Sequence, residues 1–196
     1  MEYNFITRQM VGEALTPTAK REIVEAAKDM AILPSRDAKL FSLPGMKVRF
    51  RDETLKFLDL VEKQEKEHAC LVNAVIEEVP ELADMSRQHD CSKDDLFLFL
   101  VPAYFNGASD LRDLAMDEIY RHHSLEPHHP EYEKYHSTKS CTDEDIVEMA
   151  LDRLARNAQF GDGTIRLDDL KNYMPTFPRD NERKRNLFWT SAQKYK

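Results

Sequence analysis

An all-α fold is what the sequence predicts, and three observations carry that prediction. Only five glycines occur in 196 residues, few for a β fold with its many tight turns. Capping residues mark helix starts, as at Thr16-Pro17, Ser92 and Thr142. Apolar residues then recur at helical spacing: Leu71, Val72 and Val75 lie three, four and seven places after His68 and share its face.

Taken in order, the elements begin with an accessory arm over residues 1–50, followed by a helical domain over 51–196. In the arm, Thr16 is a capping residue and Pro17 occupies the first helical position, where its missing N–H costs nothing. The helix composition continues over 20–33 and stops before Pro34; residues 35–50 contain Pro44-Gly45 and read as loop. A long helix is expected from Glu53 to Glu78, closed by Val79-Pro80, with a short helix leading to His89-Asp90. Ser92 opens the next, with Asp95 three residues on as an approximate capping box. The turn at Asn106-Gly107 separates it from a helix over 109–123. Ser124 to Cys141 is polar, holds Pro127 and Pro130, and reads as a long loop, a kind that is usually functional or disordered. Thr142 with Asp145 caps a helix running to about Phe160, Gly161-Asp162-Gly163 is a turn, and two shorter helices are expected over 167–173 and 181–193.

Composition excludes several function classes. A net charge of −8 argues against binding a nucleic-acid duplex, which needs positive potential. An anionic substrate stays open, because a bound metal reverses the local field. The longest apolar run, Leu96 to Phe105, is interrupted by Pro102 and spans about half the ~20 residues a membrane helix needs. It reads as a core helix. Met1-Glu2-Tyr3-Asn4 opens no basic region followed by an apolar one, so no secretory signal is expected. Cys70, Cys91 and Cys141 are odd in number and lack CxxC spacing, which argues against a disulfide framework or a zinc knuckle. A reducing, cytoplasmic location is the expectation.

The chemistry is carried by histidine. All seven histidines lie between positions 68 and 136, at the ends or inner faces of the expected helices. They are His68, His89 beside Asp90, the pairs His122-His123 and His128-His129, and His136, with Asp152 on the last long helix of the region. Imidazole and carboxylate together suit manganese, iron, cobalt, nickel or zinc. An aspartate beside a histidine can bridge two ions, and an open coordination position lowers the pKa of a bound water toward neutral.

The order His68, His89-Asp90, Asp152 on successive helices resembles the HD superfamily of metal-dependent phosphohydrolases. His89-Asp90-Cys91-Ser92-Lys93 also looks like the HDxxK form of HD-GYP cyclic-dinucleotide phosphodiesterases, although the rest of that signature is missing. A closer resemblance is to a small HD-like family with EH, HDxSK, HHxxxxxHHxEY and EMxxDR segments. Here these are Glu67-His68, the same HDxSK stretch, His122-His123 through His128-His129-Pro130-Glu131-Tyr132, and Glu148-Met149-Ala150-Leu151-Asp152-Arg153. The resemblance covers roughly residues 55–165 and implies an HD-like helical bundle holding one or two divalent transition metals.

Each candidate has a bland counterpart. A lone core histidine is more often structural than a ligand, and it is the ordered context that turns His68 and His89 into expected metal ligands. Asp152 sits at the edge of an apolar arc, where a salt bridge to Arg121, Arg153 or Arg156 would equally offset its burial. Within the two histidine pairs, His123 and His129 are read as metal ligands and His122 and His128 as substrate contacts. Asp90 and Lys93 are read as catalytic, with Lys93 and Arg121 neutralising a substrate phosphate. Lys93 could also be an ordinary surface lysine. Asp162-Gly163-Thr164-Ile165 mimics part of an EF-hand loop, but Ala158 and Phe160 would occupy its liganding positions, so calcium is not expected. Arg183-Lys184-Arg185 reads as the solvated face of a terminal helix.

The leading functional expectation is a metal-dependent phosphohydrolase acting on a small phosphorylated molecule such as a nucleotide. The alternatives are a di-iron oxygenase of the inositol-oxygenase type, which the count of four histidines and two aspartates would also serve, and a non-catalytic metal-containing binder. The N-terminal arm is compatible with a homodimer, and no membrane partner is expected.

Overall fold

A long helix and its capped neighbours organise the chain. The structure, a computed structural model, describes residues 6–32, 50–78, 89–129, 141–160 and 182–194. These form α1 (Arg8–Ala14), α2 (Pro17–Ile32), α3 (Asp52–Glu78), α4 (Asp95–Phe105), α5 (Arg112–Leu125), α6 (Asp143–Phe160) and α7 (Glu182–Lys194). A single 3-10 turn, Ser109–Leu111, precedes α5, and no strand occurs among the described residues. The fold is all-α. None of these helices is long and apolar enough to cross a membrane.

The caps largely follow the sequence. Thr16 Oγ1 accepts the backbone N–H of Ala19, and Pro17 opens α2. Thr142 and Asp145 form a reciprocal capping box: each side chain accepts the other's backbone N–H, at 3.2 and 2.8 Å. Two starts differ. The helix expected from Ser92 begins at Asp95 instead, where Asp94 Oδ1 caps it by accepting from both Leu96 N and Phe97 N. The short α1 was not expected; Thr7 caps it through Met10 N. Pro102 lies inside α4 without ending it; α4 stops three residues later, at Asn106-Gly107, where Gly107 takes a φ of 104°. The expected short helix before His89, the loop beyond His129 with His136, the turn at 161–163, the helix over 167–173 and the side chain of Val75 lie outside the described residues.

The chain divides into two compact units, one made of residues 6–65 and 92–122, the other of the remainder. In the first, Ile23 and Ala27 of α2, Phe57 and Val61 of α3, and Phe99 and Leu100 of α4 share one core. Arg8 donates to Phe105 O at 3.2 Å and Lys20 to Gly107 O, so two cations meet the carbonyl end of α4. In the second unit, α6 is buried on two apolar faces. Ile146, Met149, Ala150 and Leu154 pack with Phe188 of α7, while Val147, Leu151 and Ala155 pack with Val72 and Ile76 of α3. Between those faces runs a third stripe, Glu148, Asp152 and Arg156, spaced one helical turn apart. Glu148 and Asp152 are 0 and 4% exposed. A helix apolar on both flanks has nowhere to send that stripe except into protein, so its charges need partners.

Candidate metal centre

Four segments of the second unit bring those partners. His68 comes from α3, on the same face as Val72, which is buried. His89 and Asp90 come from a turn anchored to α3 where His89 N donates to Asn73 Oδ1 at 3.0 Å. His128 and His129 come from the turn after α5, closed by His129 N donating to Glu126 O at 3.1 Å and braced by the Cys141 thiol on Pro127 O. Glu148, Asp152 and Arg156 come from α6.

The first donor group is His68, His89, Asp90 and Asp152, all buried. His68 Nε2 lies 2.9 Å from Asp152 Oδ1, 3.1 Å from His89 Nε2 and 3.6 Å from Asp90 Oδ2. His89 Nε2 lies 3.3 Å from Asp90 Oδ2 and 3.5 Å from Asp152 Oδ1. Ligands about 2.1 Å from a shared ion stand roughly 3.0 Å apart at right angles and roughly 3.4 Å apart in a tetrahedron. The five separations bracket these values. Two imidazole Nε2 atoms facing each other at this distance, with two carboxylate oxygens alongside, repel unless a cation or a proton lies among them. The donor set therefore fits a divalent metal, and these buried clusters have the chemistry to hold one.

Asp90 takes part in a second group with His128 and His129, whose donor atoms lie within 4.8 Å of one another. His128 Nε2 is 3.4 Å from Asp90 Oδ1, so the two oxygens of Asp90 face different groups. Behind both stands Glu148, whose Oε1 accepts from His89 Nδ1 at 2.9 Å and lies 3.2 Å from His128 Nδ1. Arg156 covers the carboxylates, with Nη2 3.3 Å from Asp90 Oδ2 and Nε 3.9 Å from Asp152 Oδ1.

The electrostatics reflect this crowding of acids. Burial opposes charging of His89, but the Asp90 charge and hydrogen bonds with Asp152, Asp90 and Glu148 outweigh it and raise its pKa well above the ordinary histidine value. Burial works against ionising Asp152 too, yet hydrogen bonds with His68 and His89, with the charge of Arg153, hold it well below the usual carboxylate range. The His89 imidazole, with its raised pKa, and the Arg156 guanidinium put positive charge beside these acids.

The structure brings His68, His89, Asp90, His129 and Asp152 together, as the sequence expects of them. It places His128, read as a substrate contact, among the buried donors at 0% exposure. His123, read as a ligand, is outside the converging groups; its ring stacks on His129 with centroids 4.1 Å apart. His122 Nδ1 lies 2.7 Å from Ser92 Oγ, and the ring meets Phe97 edge-on. Lys93 pairs with Glu65 at 3.1 Å and sits over the Phe97 ring. Arg121 pairs with Glu118 and Asp94 at 2.7 and 3.1 Å and donates to Ser92 O. For Asp152 the alternative of a salt bridge to Arg156 holds only in its longest form, since the shortest contact is with His68.

Sequence reasoning gave no role to Glu126 or Glu148 and weighed Arg156 only as a salt bridge. The signal for the α6 pair was available: Glu148, Asp152 and Arg156 repeat every fourth residue between two apolar stripes. Cys91 Sγ lies 3.6 Å from Glu126 Oε1, and Glu126 is 2% exposed, but nothing in its sequence neighbourhood marks it as buried. The chain matches no family model, and no curated protein or solved structure matches it significantly.

Proposed function

We propose that this protein is a metal-dependent phosphohydrolase acting on a small phosphorylated molecule. One observation carries the reading: four buried donor atoms of His68, His89, Asp90 and Asp152 stand at the mutual spacing of ligands on one ion, beneath a guanidinium. The HD-superfamily resemblance of the same four residues supports it. A divalent transition metal bound there supplies Lewis acidity and a water of lowered pKa. The chain's own residues do the rest. Asp90 turns one oxygen to each donor group and so can hold one ion or two. Arg156 presents a fork that suits a phosphoryl oxygen pair bidentately. In this reading Arg156, which lies against the donor carboxylates of Asp90 and Asp152, takes the charge-balancing role that the sequence gives to Lys93 and Arg121.

The test is phosphate release over a panel of nucleotides and sugar phosphates, with manganese, cobalt or nickel supplied. Arg156→Gln should raise KM roughly 10- to 100-fold, the loss of a charge-assisted hydrogen bond, while metal content by elemental analysis stays at the wild-type level. Iron with oxygen-dependent turnover would replace this reading with the oxidative one, which the four histidines His68, His89, His128 and His129 with two aspartates favour in number. Metal uptake with no turnover of either kind would leave a non-catalytic binder.

A further inference from the structure

We infer that Glu148 is a positioning residue for the donor groups: its Oε1 sets the ring orientation of His89 through a hydrogen bond and packs against the ring of His128. This rests on the metal reading above. Oε1 accepts the His89 Nδ1 hydrogen at 2.9 Å and stands 3.2 Å from His128 Nδ1. A carboxylate on Nδ1 fixes the proton there and leaves Nε2 as the lone-pair donor. That Nε2 of His89 faces one oxygen of Asp90 at 3.3 Å, and His128 Nε2 faces the other at 3.4 Å. The His89 and His128 rings lie side by side on Glu148, centroids 4.6 Å apart.

A rival arrangement places an ion among His89, His128 and Glu148 themselves, whose donor atoms also lie within 4.8 Å of one another. It would require His89 to give Nδ1 to that ion while Nε2 serves the His68 group, and so to lose both ring protons. Orientation needs only one proton on Nδ1, the ordinary neutral imidazole. Glu148 is 0% exposed and lies one turn before Asp152 on α6, so a rigid helix fixes ligand and positioning residue together.

Cobalt binding by the full chain tests the inference, read by titration calorimetry and by the visible absorption of the bound ion. Wild type, Asp152→Asn, Glu148→Gln and Glu148→Leu are compared, each checked for helix content. Asp152→Asn should lose binding, which establishes the metal site. Glu148→Leu should then bind roughly 10- to 100-fold more weakly, the usual loss when such an orienting partner is removed, with a shifted spectrum because the imidazoles are free to turn. Glu148→Gln keeps an acceptor oxygen and should retain more affinity with a spectrum of wild-type shape. If Glu148→Leu does not fold, the glutamine variant decides alone by weaker binding with an unshifted spectrum. Glutamine and leucine variants both within twofold of wild type, while Asp152→Asn loses cobalt, would overturn the inference and leave the metal site standing. A wild type that takes up no cobalt would overturn both.

Discussion

Asp90 holds a backbone conformation that L-residues avoid, with a φ of 58°. The left-handed region costs roughly 1–2 kcal/mol for an ordinary side chain and less for aspartate or asparagine, whose short polar groups bond locally. The turn accepts that cost where it aims the carboxylate between two histidine groups, 3.3 Å from His89 Nε2 and 3.4 Å from His128 Nε2. Two substitutions separate backbone from chemistry. Asp90→Asn should fold with a melting temperature close to the metal-free wild type and yet lose metal, because an amide neither bridges nor balances charge. Asp90→Ala should lose metal as well and melt lower than Asp90→Asn by the added strain, about 1 kcal/mol. Calorimetric melting of both variants in chelator checks this; an alanine variant as stable as the asparagine one would show that the conformation costs nothing.

The helix starts show the same logic of one side chain serving several groups. Glu22 of α2 reaches across to the beginning of α3, where its Oε2 accepts from Thr54 Oγ1 at 2.6 Å and from Arg51 N at 3.1 Å. The Thr54 hydrogen bond, opposed by burial and helped by Arg51, lowers the Glu22 pKa below its ordinary value. Since the folded value is depressed, the stabilisation is present above the unfolded pKa of about 4.3 and is lost as pH falls through the folded value. Glu22→Gln should therefore cost about 1 kcal/mol at neutral pH, in the range of a lost cap, and the gap from wild type should close in acid. Urea melts of both proteins at neutral and acid pH measure it; a gap that widens in acid would contradict the assignment. No local sequence pattern reveals this cap, because its donor and acceptor are 32 residues apart. What was legible is what local chemistry decides: Thr16-Pro17 opening α2 and Thr142 with Asp145 opening α6. What was misread lies where two capping groups compete, as Asp94 does with Ser92.

The candidate centre depends on contacts that no periodicity encodes. His68 and Asp152 are 84 residues apart and meet at 2.9 Å. Helical spacing says which face each side chain occupies, but not which faces meet, so the convergence was readable only through the ordered His, His-Asp, Asp resemblance. The roles within the histidine pairs were not readable: His128 and His129 follow α5 in a turn that helical spacing does not describe, both enter the donor group, and His123 is left stacked on His129. The buried acids show what a bound ion would do for the whole protein. Asp90, Glu126, Glu148 and Asp152 are all buried in one unit, with exposures of 8, 2, 0 and 4%. Carboxylates withdrawn from water need compensation, and besides the imidazoles the Arg156 guanidinium reaches Asp90. A metal that binds the folded chain alone stabilises it by RT ln(1 + [M]/Kd), about 2.7 kcal/mol at a hundred times Kd. For a chain of this length each kcal/mol moves the melting temperature by roughly 2–4 °C, so a saturating divalent metal should raise it by roughly 5–10 °C over the chelated protein. Asp152→Asn should abolish most of that rise, since it removes a ligand without emptying space. An equal rise in wild type and Asp152→Asn would mean that the ion stabilises some other surface and that this cluster is a hydrogen-bonded core.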